Sequence, residues 1–403
     1  MKTLLILGAG KEQVPAITRA KNKGIYTIAL DMNPEAEGFK YADEHYIISI
    51  RDKKALINFA RNYDKKIDGV ITIASDIPHM VSRVAEELGV NHISIGSADL
   101  AVDKFKMKEA LKKADVNVPP FRKIVSLHEL EEFINEYDYP VVIKPIDNSG
   151  ARGVLRLTKE VDLNWAFDES KRNSRSGDIM VEKFLEGPQI STEGIMYENK
   201  FYITGFSDRN YDRLEEFAPN IIEDGGAFPT DLSKEAKKLV NDEFEKAVRA
   251  LGINWGPGKG DMIYSNGKAY VVEIAARLSG GNFCYDQVPL GTGVDIVDAY
   301  IDMAVGNPID VRCFEAKFQK GVAQRYFFPG TGKIKRVKGL DKVRQMKNIV
   351  KIDFFVKEGD VIEKQANHTT RVGYVIAVGK DKKEAVEFAN KAISSVEFIF
   401  EGV

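Results

Sequence analysis

Cysteine is scarce in this 403-residue chain, which has only Cys284 and Cys313. Two isolated cysteines exclude a disulfide framework and a cysteine-built metal cluster, and predict two small buried hydrophobes in a reducing compartment. Tryptophan occurs twice and histidine five times. His79, His92, His128 and His368 are scattered, so surface or capping roles are expected ahead of catalysis. No apolar run approaches a membrane span, and the opening MKTLLILGAG is broken at Gly8, too early for a secretory signal. A cytoplasmic protein with no membrane partner is the expectation. An excess of one charge is also missing. The 58 Lys and Arg nearly balance 60 Asp and Glu, for a formal net charge of -2, and nothing marks a nucleic-acid partner. The lysines between Lys104 and Lys113 are therefore a local feature.

What is present describes an ordinary globular chain of two or three domains, 44% hydrophobic and 29% charged. The first part alternates strand and helix patterns: TLLILGAG, VPAITRAKNKG, YTIALD, EHYIISI, KKALINFARNY, DGVITIAS and PHMVSRVAEELG, closing on HISIG. This predicts a doubly wound parallel sheet, with ligands at the carboxyl ends of its strands, near Gly8-Ala9-Gly10 and Ser75-Asp76. From Ser97 the pattern changes. One long helix, SADLAVDKFKMKEALKKADV, is expected before Pro119-Pro120, followed by hairpins, a helix over SKEAKKLVNDEFEKAVRALG and another over VDIVDAYIDMAVG. A strand-rich tail closes with the helix KDKKEAVEFANKAISSVE. The expected division is residues 1–95, 96–309 and 310–403.

Four stretches carry chemistry. Gly8-Ala9-Gly10 with Asp31 imitates a dinucleotide fingerprint, but Gln13 stands where its third glycine belongs, so an architectural turn is the better reading. VVIKPIDNSGARGV delivers Lys144 at the end of a buried strand, ahead of a loop whose Ser149, Gly150 and Gly153 can turn N–H groups toward an anion. Arg152 adds a second cation. A plain hairpin loop with a solvated lysine is the alternative. MVEKFLEGPQ offers an extended hinge, with Glu182, Lys183, Phe184 and Leu185 able to frame a planar base, or simply the end of a core strand.

The fourth stretch is GDMIYSNGKAYVVEIAAR, a hairpin with Asp261 and Glu273 on opposite arms and Arg277 beyond them. A two-residue Asn266-Gly267 turn would send the acids to opposite faces. A three-residue loop, Ser265 to Gly267, pairs Tyr264 with Lys268 and makes the acids diagonal neighbours about 7–8 Å apart on one face. Two carboxylates so placed suit Mg²⁺ with substrate phosphates. Solvated acids on a half-exposed hairpin are the alternative.

Taken in order, Lys104, Lys144 before its glycine loop, the Glu-Lys-Phe-Leu hinge, and Asp261, Glu273 and Arg277 resemble the ATP-grasp superfamily across essentially the whole chain. The tail, GVAQRYFFPGTGKIKRVKG through NHTTRVGYVIAVG, resembles the carboxy-terminal domain of the L-amino-acid ligases. The resemblance implies an α/β ATP-grasp fold with an N-terminal doubly wound parallel-sheet domain and a mixed C-terminal domain. It implies that Lys104 and Lys144 contact ATP phosphates under Ser149, Gly150, Arg152 and Gly153. Glu182 would meet the adenine amino group, with Lys183 and Leu185 offering backbone atoms. Asp261 and Glu273 would hold Mg²⁺ (Mn²⁺ being the other candidate), with Glu273 bridging two ions. Arg277 would stabilise the transferred phosphoryl group and the acyl-phosphate.

Two positions depart from the family pattern. Gln189 replaces an acid that often meets the ribose, and Ala275 replaces an asparagine metal ligand, leaving one or two ions open. The implied activity is an ATP-dependent carboxylate–amine ligase for amino acids or similar small acids and amines, with a homodimer as the expected assembly. A bicarbonate-using carboxylase or carbamoyl-forming enzyme, a nucleotide-binding regulator without turnover, and a dehydrogenase are the competing readings. Ser279, Gly280 and Gly281 are the candidate substrate contacts, or a tight turn. FSDRNYDRLEEF and EDGGAFPTDL are expected on the substrate side, and Arg371 in a strand-face salt bridge or at a substrate carboxylate.

Overall fold

The computed structural model describes residues 1–402. Its first sheet has four parallel strands in the order Glu44–Ile47, Tyr26–Asp31, Thr3–Leu7 and Gly69–Ile71. Leu4, Leu5, Ile6 and Leu7 are all fully buried, because helices cover both faces of a parallel sheet and every side chain of a central strand must be apolar. HISIG is not a strand. Ser94 instead caps the helix Ile95–Leu100, its side chain accepting from the Ser97 N–H.

The expected long helix is two. Ile95–Leu100 and Lys104–Lys113 are separated at Asp103, whose Oδ1 accepts from the N–H groups of Phe105 and Lys106. That cap fixes the start of the second helix, and with it the position of Lys104. A four-stranded antiparallel sheet follows, in the order Phe121–Ile124, Ile179–Lys183, Val141–Pro145 and Leu155–Leu157. Helices Leu127–Tyr137 and Leu163–Arg172 bury Leu130, Phe133 and Ala166 against it.

The largest sheet has eight antiparallel strands, in the order Lys268–Ala275, Gly256–Ser265, Gln189–Tyr197, Lys200–Asn210, Gly225–Phe228, Gly321–Tyr326, Gly373–Gly379 and Ile349–Phe354. The strand Gly225–Phe228 pairs with Gly321–Tyr326, so this sheet runs without a break across the boundary expected near residue 310. Helix Ile296–Ala304, from the middle of the chain, packs on the first sheet beside Ala16 and Ile17. Among the described residues, no helix is long and apolar enough to cross a membrane.

Candidate active site

A cavity of about 440 Å³ lies where the four-stranded and eight-stranded sheets face each other, bordered by the first sheet through Ala74 and Asp76. Its position puts the hairpin first. Asn266 and Gly267 both have positive φ, 48° and 77°, and Ser265 pairs directly with Lys268. The loop is thus the two-residue turn, and the three-residue loop read from the sequence is wrong. The acids still share a face, for another reason. Between Asp261 and Met262 the register shifts, Val272 becomes an extra residue on its arm, and Asp261 lies directly opposite Glu273. Both line the cavity.

Cations surround this pair. Lys259 is hydrogen-bonded to Asp261 Oδ1, and Arg209 Nη1 lies 2.8 Å from the same oxygen. Burial disfavours the Asp261 charge, but Arg209 and Lys259 outweigh it and hold its carboxyl well below the usual range. Lys104 Nζ donates to Glu273 Oε1 at 2.7 Å and to the Asn148 carbonyl at 2.9 Å. Burial opposes its charge too, yet Glu273 outweighs that and keeps Lys104 an ammonium. Among the described residues no group of three or more His, Cys, Asp or Glu converges as a metal site. Two opposed carboxylates nevertheless match Mg²⁺, which takes one or two protein carboxylates and completes its shell with water and phosphate.

Arg277 is held from outside its own sheet. Its Nε donates to Asp76 Oδ1 at 2.7 Å, and Nη1 to the Leu278 carbonyl at 3.2 Å. Beyond it, Ser279, Gly280 and Gly281 line the cavity wall. A Cβ on Gly280 would stand 2.8 Å from the Ala74 Cβ, so glycine is needed for this close approach. The loop is clamped from two sides. Glu12 Oε2 accepts from the Gly281 N–H and the Tyr285 hydroxyl, each at 2.9 Å, and the fully buried Glu193 accepts from the Ser279 N–H at 2.6 Å. Burial pushes the Glu193 carboxyl up to about 7, against the pull of that N–H and of Arg277.

At the other end, Lys144 is 4% exposed and is hydrogen-bonded to Glu182 Oε1. Lys108, with no exposed surface, lies 2.9 Å from Glu182 Oε2. Burial favours neutral Glu182, but the two lysines win and hold it at about 2; burial and the neighbouring Lys144 bring Lys108 down to about 8. The carboxylate read as an adenine contact is therefore also the centre of a buried triad. Lys183, Phe184, Leu185 and Gln189 line the same end. In the glycine loop, Arg152 folds back, Nε donating to Asn148 Oδ1 and Nη2 to Ser149 Oγ, each at 3.1 Å. Gly150 and Ser149 face the cavity, while Gly153 packs outside it against Asn173.

Several residues here had no assigned role. Lys108 looks like its solvated neighbours in KFKMKEALKK, and only its burial sets it apart. Arg209 and Glu223 belong to the segments expected on the substrate side, but both segments carry several charges and nothing in either singles these two out. Asp76, Glu12 and Glu193 act across more than seventy residues of sequence, beyond the reach of local pattern. His368 takes a capping contact, as expected, but in the cavity wall: its backbone N–H donates to the Gly150 carbonyl at 3.0 Å and its Nε2 accepts from the Glu223 N–H at 3.3 Å. Arg371 also lines the cavity and, among the described residues, has no salt bridge. Gln13, where the third fingerprint glycine would stand, bonds both backbone groups of Ile73 and so ties the Gly8–Gly10 turn to the strand end before Asp76. Cys284 is buried, its thiol donating to the Ser279 carbonyl at 2.9 Å, while Cys313 is half-buried.

Residues 101–281 match the ATP-grasp domain family, and residues 325–401 match the L-amino acid ligase C-terminal domain 2. The L-amino acid ligase of Bacillus licheniformis superposes with a TM-score of 0.84 at 19% identity, over 100% of this chain and 99% of that one. Phosphoribosylglycinamide synthetase from Anaerococcus prevotii gives a TM-score of 0.77 at 24% identity, covering 99% and 100%. In sequence, the 2-oxoglutarate carboxylase small subunit of Hydrogenobacter thermophilus is 25% identical over 368 residues, 83% of this chain and 75% of the relative. The chain thus has the ATP-grasp fold, with an ATP-grasp domain over residues 101–281 and an L-amino acid ligase C-terminal domain over residues 325–401, and the glycine loop, the opposed acids and Arg277 all border one cavity.

Proposed function

We propose that the chain is an ATP- and Mg²⁺-dependent ligase joining a small carboxylic acid to an amine through an acyl-phosphate. The observation that carries this reading is the convergence of Asp261, Glu273 and Arg277 with Lys104 and Lys144 on a single cavity. A carboxylate cannot acylate an amine directly, because oxide would have to leave. Attack of its oxygen on the γ-phosphorus of ATP releases ADP and gives an acyl-phosphate. The amine then displaces inorganic phosphate, losing a proton as the C–N bond forms. The protein's share is positioning, charge neutralisation and exclusion of water.

The ion pairs suggest how charge is exchanged when ATP enters. Lys144 can turn from Glu182 to a phosphate, because Lys108 stays behind to neutralise Glu182. Lys104 can likewise leave Glu273 for a phosphate, freeing that carboxylate to hold Mg²⁺ with Asp261. Bound Mg²⁺ would supply Lewis-acid polarisation of the phosphate oxygens. Glu182, Lys183, Phe184 and Leu185 receive the adenine, and Gln189 lies toward the sugar. Ser149, Gly150, Arg152 and Gly153 form the loop over the phosphates. Arg277, oriented by Asp76, presents a planar fork to the migrating phosphoryl group. Ser279, Gly280 and Gly281 border the acceptor. In this assignment residues 96–309 bind ATP, and the flanking regions close the acceptor side.

The carboxylase named among the relatives supports a second reading, with bicarbonate as the acid. ADP release measured over a panel of acids, amines and bicarbonate, with mass detection of the condensed product, tests both. An amide product and equimolar ADP are expected. ADP release that needs bicarbonate, or none with any pair, would overturn the ligase assignment.

A further inference from the structure

Four positions form a square across the two strands that carry the acids. Lys259 and Asp261 stand on Gly256–Ser265, directly opposite Ala275 and Glu273 on Lys268–Ala275. Side chains two apart on a strand share a face, and all four residues line the cavity. Three of the four are charged, and the fourth is a methyl group. Ala275 brings no side-chain donor to a metal, and the residue facing it across the ladder brings an ammonium.

That ammonium is directed at one acid. On its other side Lys259 pairs with Glu193 of Gln189–Tyr197, but the Glu193 carboxyl is turned to the Ser279 N–H. Lys259 is hydrogen-bonded to Asp261 Oδ1 instead, and Arg209 Nη1 meets the same oxygen at 2.8 Å. Both contacts use Oδ1, which leaves Oδ2 for an ion shared with Glu273. Side-chain exposure is 16% for Lys259 and Asp261 and 13% for Arg209, so water screens these charges poorly. A dication on Oδ1 would meet two like charges at hydrogen-bond range. Lys104, by contrast, meets the square from a helix and can leave Glu273 when phosphate arrives.

Phosphoryl transfer needs positive charge around the migrating group, and two metal ions are one common way to supply it. We propose that this protein binds a single Mg²⁺ with its nucleotide, and that the Lys259 ammonium takes the place of a second ion on Asp261. The ion is held by Glu273 and the free oxygen of Asp261, while Lys259 and Arg209 hold the other oxygen. Lysine serves here as a compact point charge fixed by its strand, with Ala275 leaving its corner without a competing ligand. The inference rests on the proposed ATP site and is independent of which acid and amine are joined.

Mn²⁺ favours the same oxygen ligands and can be counted by electron paramagnetic resonance. The full chain would be saturated with a non-hydrolysable ATP analogue and titrated with Mn²⁺. About one ion per bound analogue is expected, with the spectrum of an isolated ion. Ala275→Asn alone should leave that count unchanged, because the lysine remains. Lys259→Met combined with Ala275→Asn should raise it to about two and give a spin-coupled pair. Arg209 still neutralises Asp261 in that variant. Should the double variant fold poorly, Lys259→Met alone must admit a second, weaker ion. Two ions in the native protein or in Ala275→Asn, or one in the double variant, would overturn the replacement. So would a loss of analogue affinity in Lys259→Met with the ion count unchanged, which would assign the lysine to phosphate. Failure of the analogue to bind would overturn it together with the ATP site. One ion without amide formation in the ADP-release panel would count against the ligase reading alone.

Discussion

Asp76 and Arg277 are 201 residues apart, and the guanidinium Nε donates to the carboxylate at 2.7 Å. Burial works against the Asp76 charge, but Arg277 and then Lys104 hold its carboxyl below the usual range. The segment after the first sheet thus reaches a cavity built mostly from the other two sheets, and on the proposed function Asp76 would position Arg277 there. Asp76→Asn keeps the shape and removes the charge. It should lower kcat roughly ten- to hundredfold with little change in the KM for ATP, measured by steady-state ADP release. A variant that lost only ATP affinity would show that Asp76 does not act through Arg277.

Arg277→Lys tests the fork itself. Lysine preserves the charge but offers no pair of parallel donors. A fall in kcat of roughly 10²–10³ is expected, the range for removing one group that stabilises transition-state charge, while ATP affinity should hold because Lys104 and Lys144 remain. Normal turnover in this variant would remove Arg277 from the central step.

The buried triad of Lys108, Glu182 and Lys144 makes a paired prediction. Lys144→Ala should weaken ATP binding at least about tenfold in calorimetry, since Lys144 is the member able to leave for phosphate. Lys108→Met should leave Glu182 under-neutralised in the interior and cost on the order of 3–5 kcal/mol of stability. Combining Lys108→Met with Glu182→Gln should recover much of that loss in denaturant melts. Additive losses would mean that the two side chains are not coupled.

Glu193 makes a pH prediction with a definite sign. Its carboxyl is raised to about 7 in the folded chain from an ordinary 4.5, so between those values the native state keeps a proton the unfolded chain has lost. Its contribution to stability is complete below the ordinary value and declines as pH rises toward 7. Glu193→Gln keeps the acceptor for the Ser279 N–H and cannot ionise. Relative to the variant, the native protein should lose on the order of 1–3 kcal/mol between pH 5 and 8. Parallel stability curves would place the Glu193 carboxyl back in the ordinary range.

Legibility in the sequence followed how local the cause was. Lys144, Asp261, Glu273 and Arg277 stood out because charges at strand ends are visible against an alternating apolar pattern, and all four line one cavity. The parallel first sheet was legible from the alternation of apolar strand and helix patterns along residues 1–95. Gln13 departs visibly from the dinucleotide fingerprint, but its bonds to Ile73 were beyond any pattern. The split of the helix at Asp103 was marked by a capping residue that the long amphipathic run concealed. Lys108, Glu193 and Glu12 owe their roles to packing between distant segments, and nothing beside them in sequence distinguishes them. The place of His368 in the cavity wall was not legible, because its neighbours, Gly150 and Glu223, come from two other parts of the chain.

The bulge at Val272 makes the spacing of the two acids a matter of parity. With a two-residue turn and no extra residue, Asp261 and Glu273 would fall on opposite faces; the register shift restores them to one. An insertion or deletion in either arm between the turn and the acids would undo that correction, whereas one in the turn, which leaves Ser265 paired with Lys268, would not. Length changes in the arms are therefore tolerable only in compensating steps. A working relative with the same separation between its acids but a three-residue turn should have a straight arm where this chain is bulged, its acids diagonal rather than opposed.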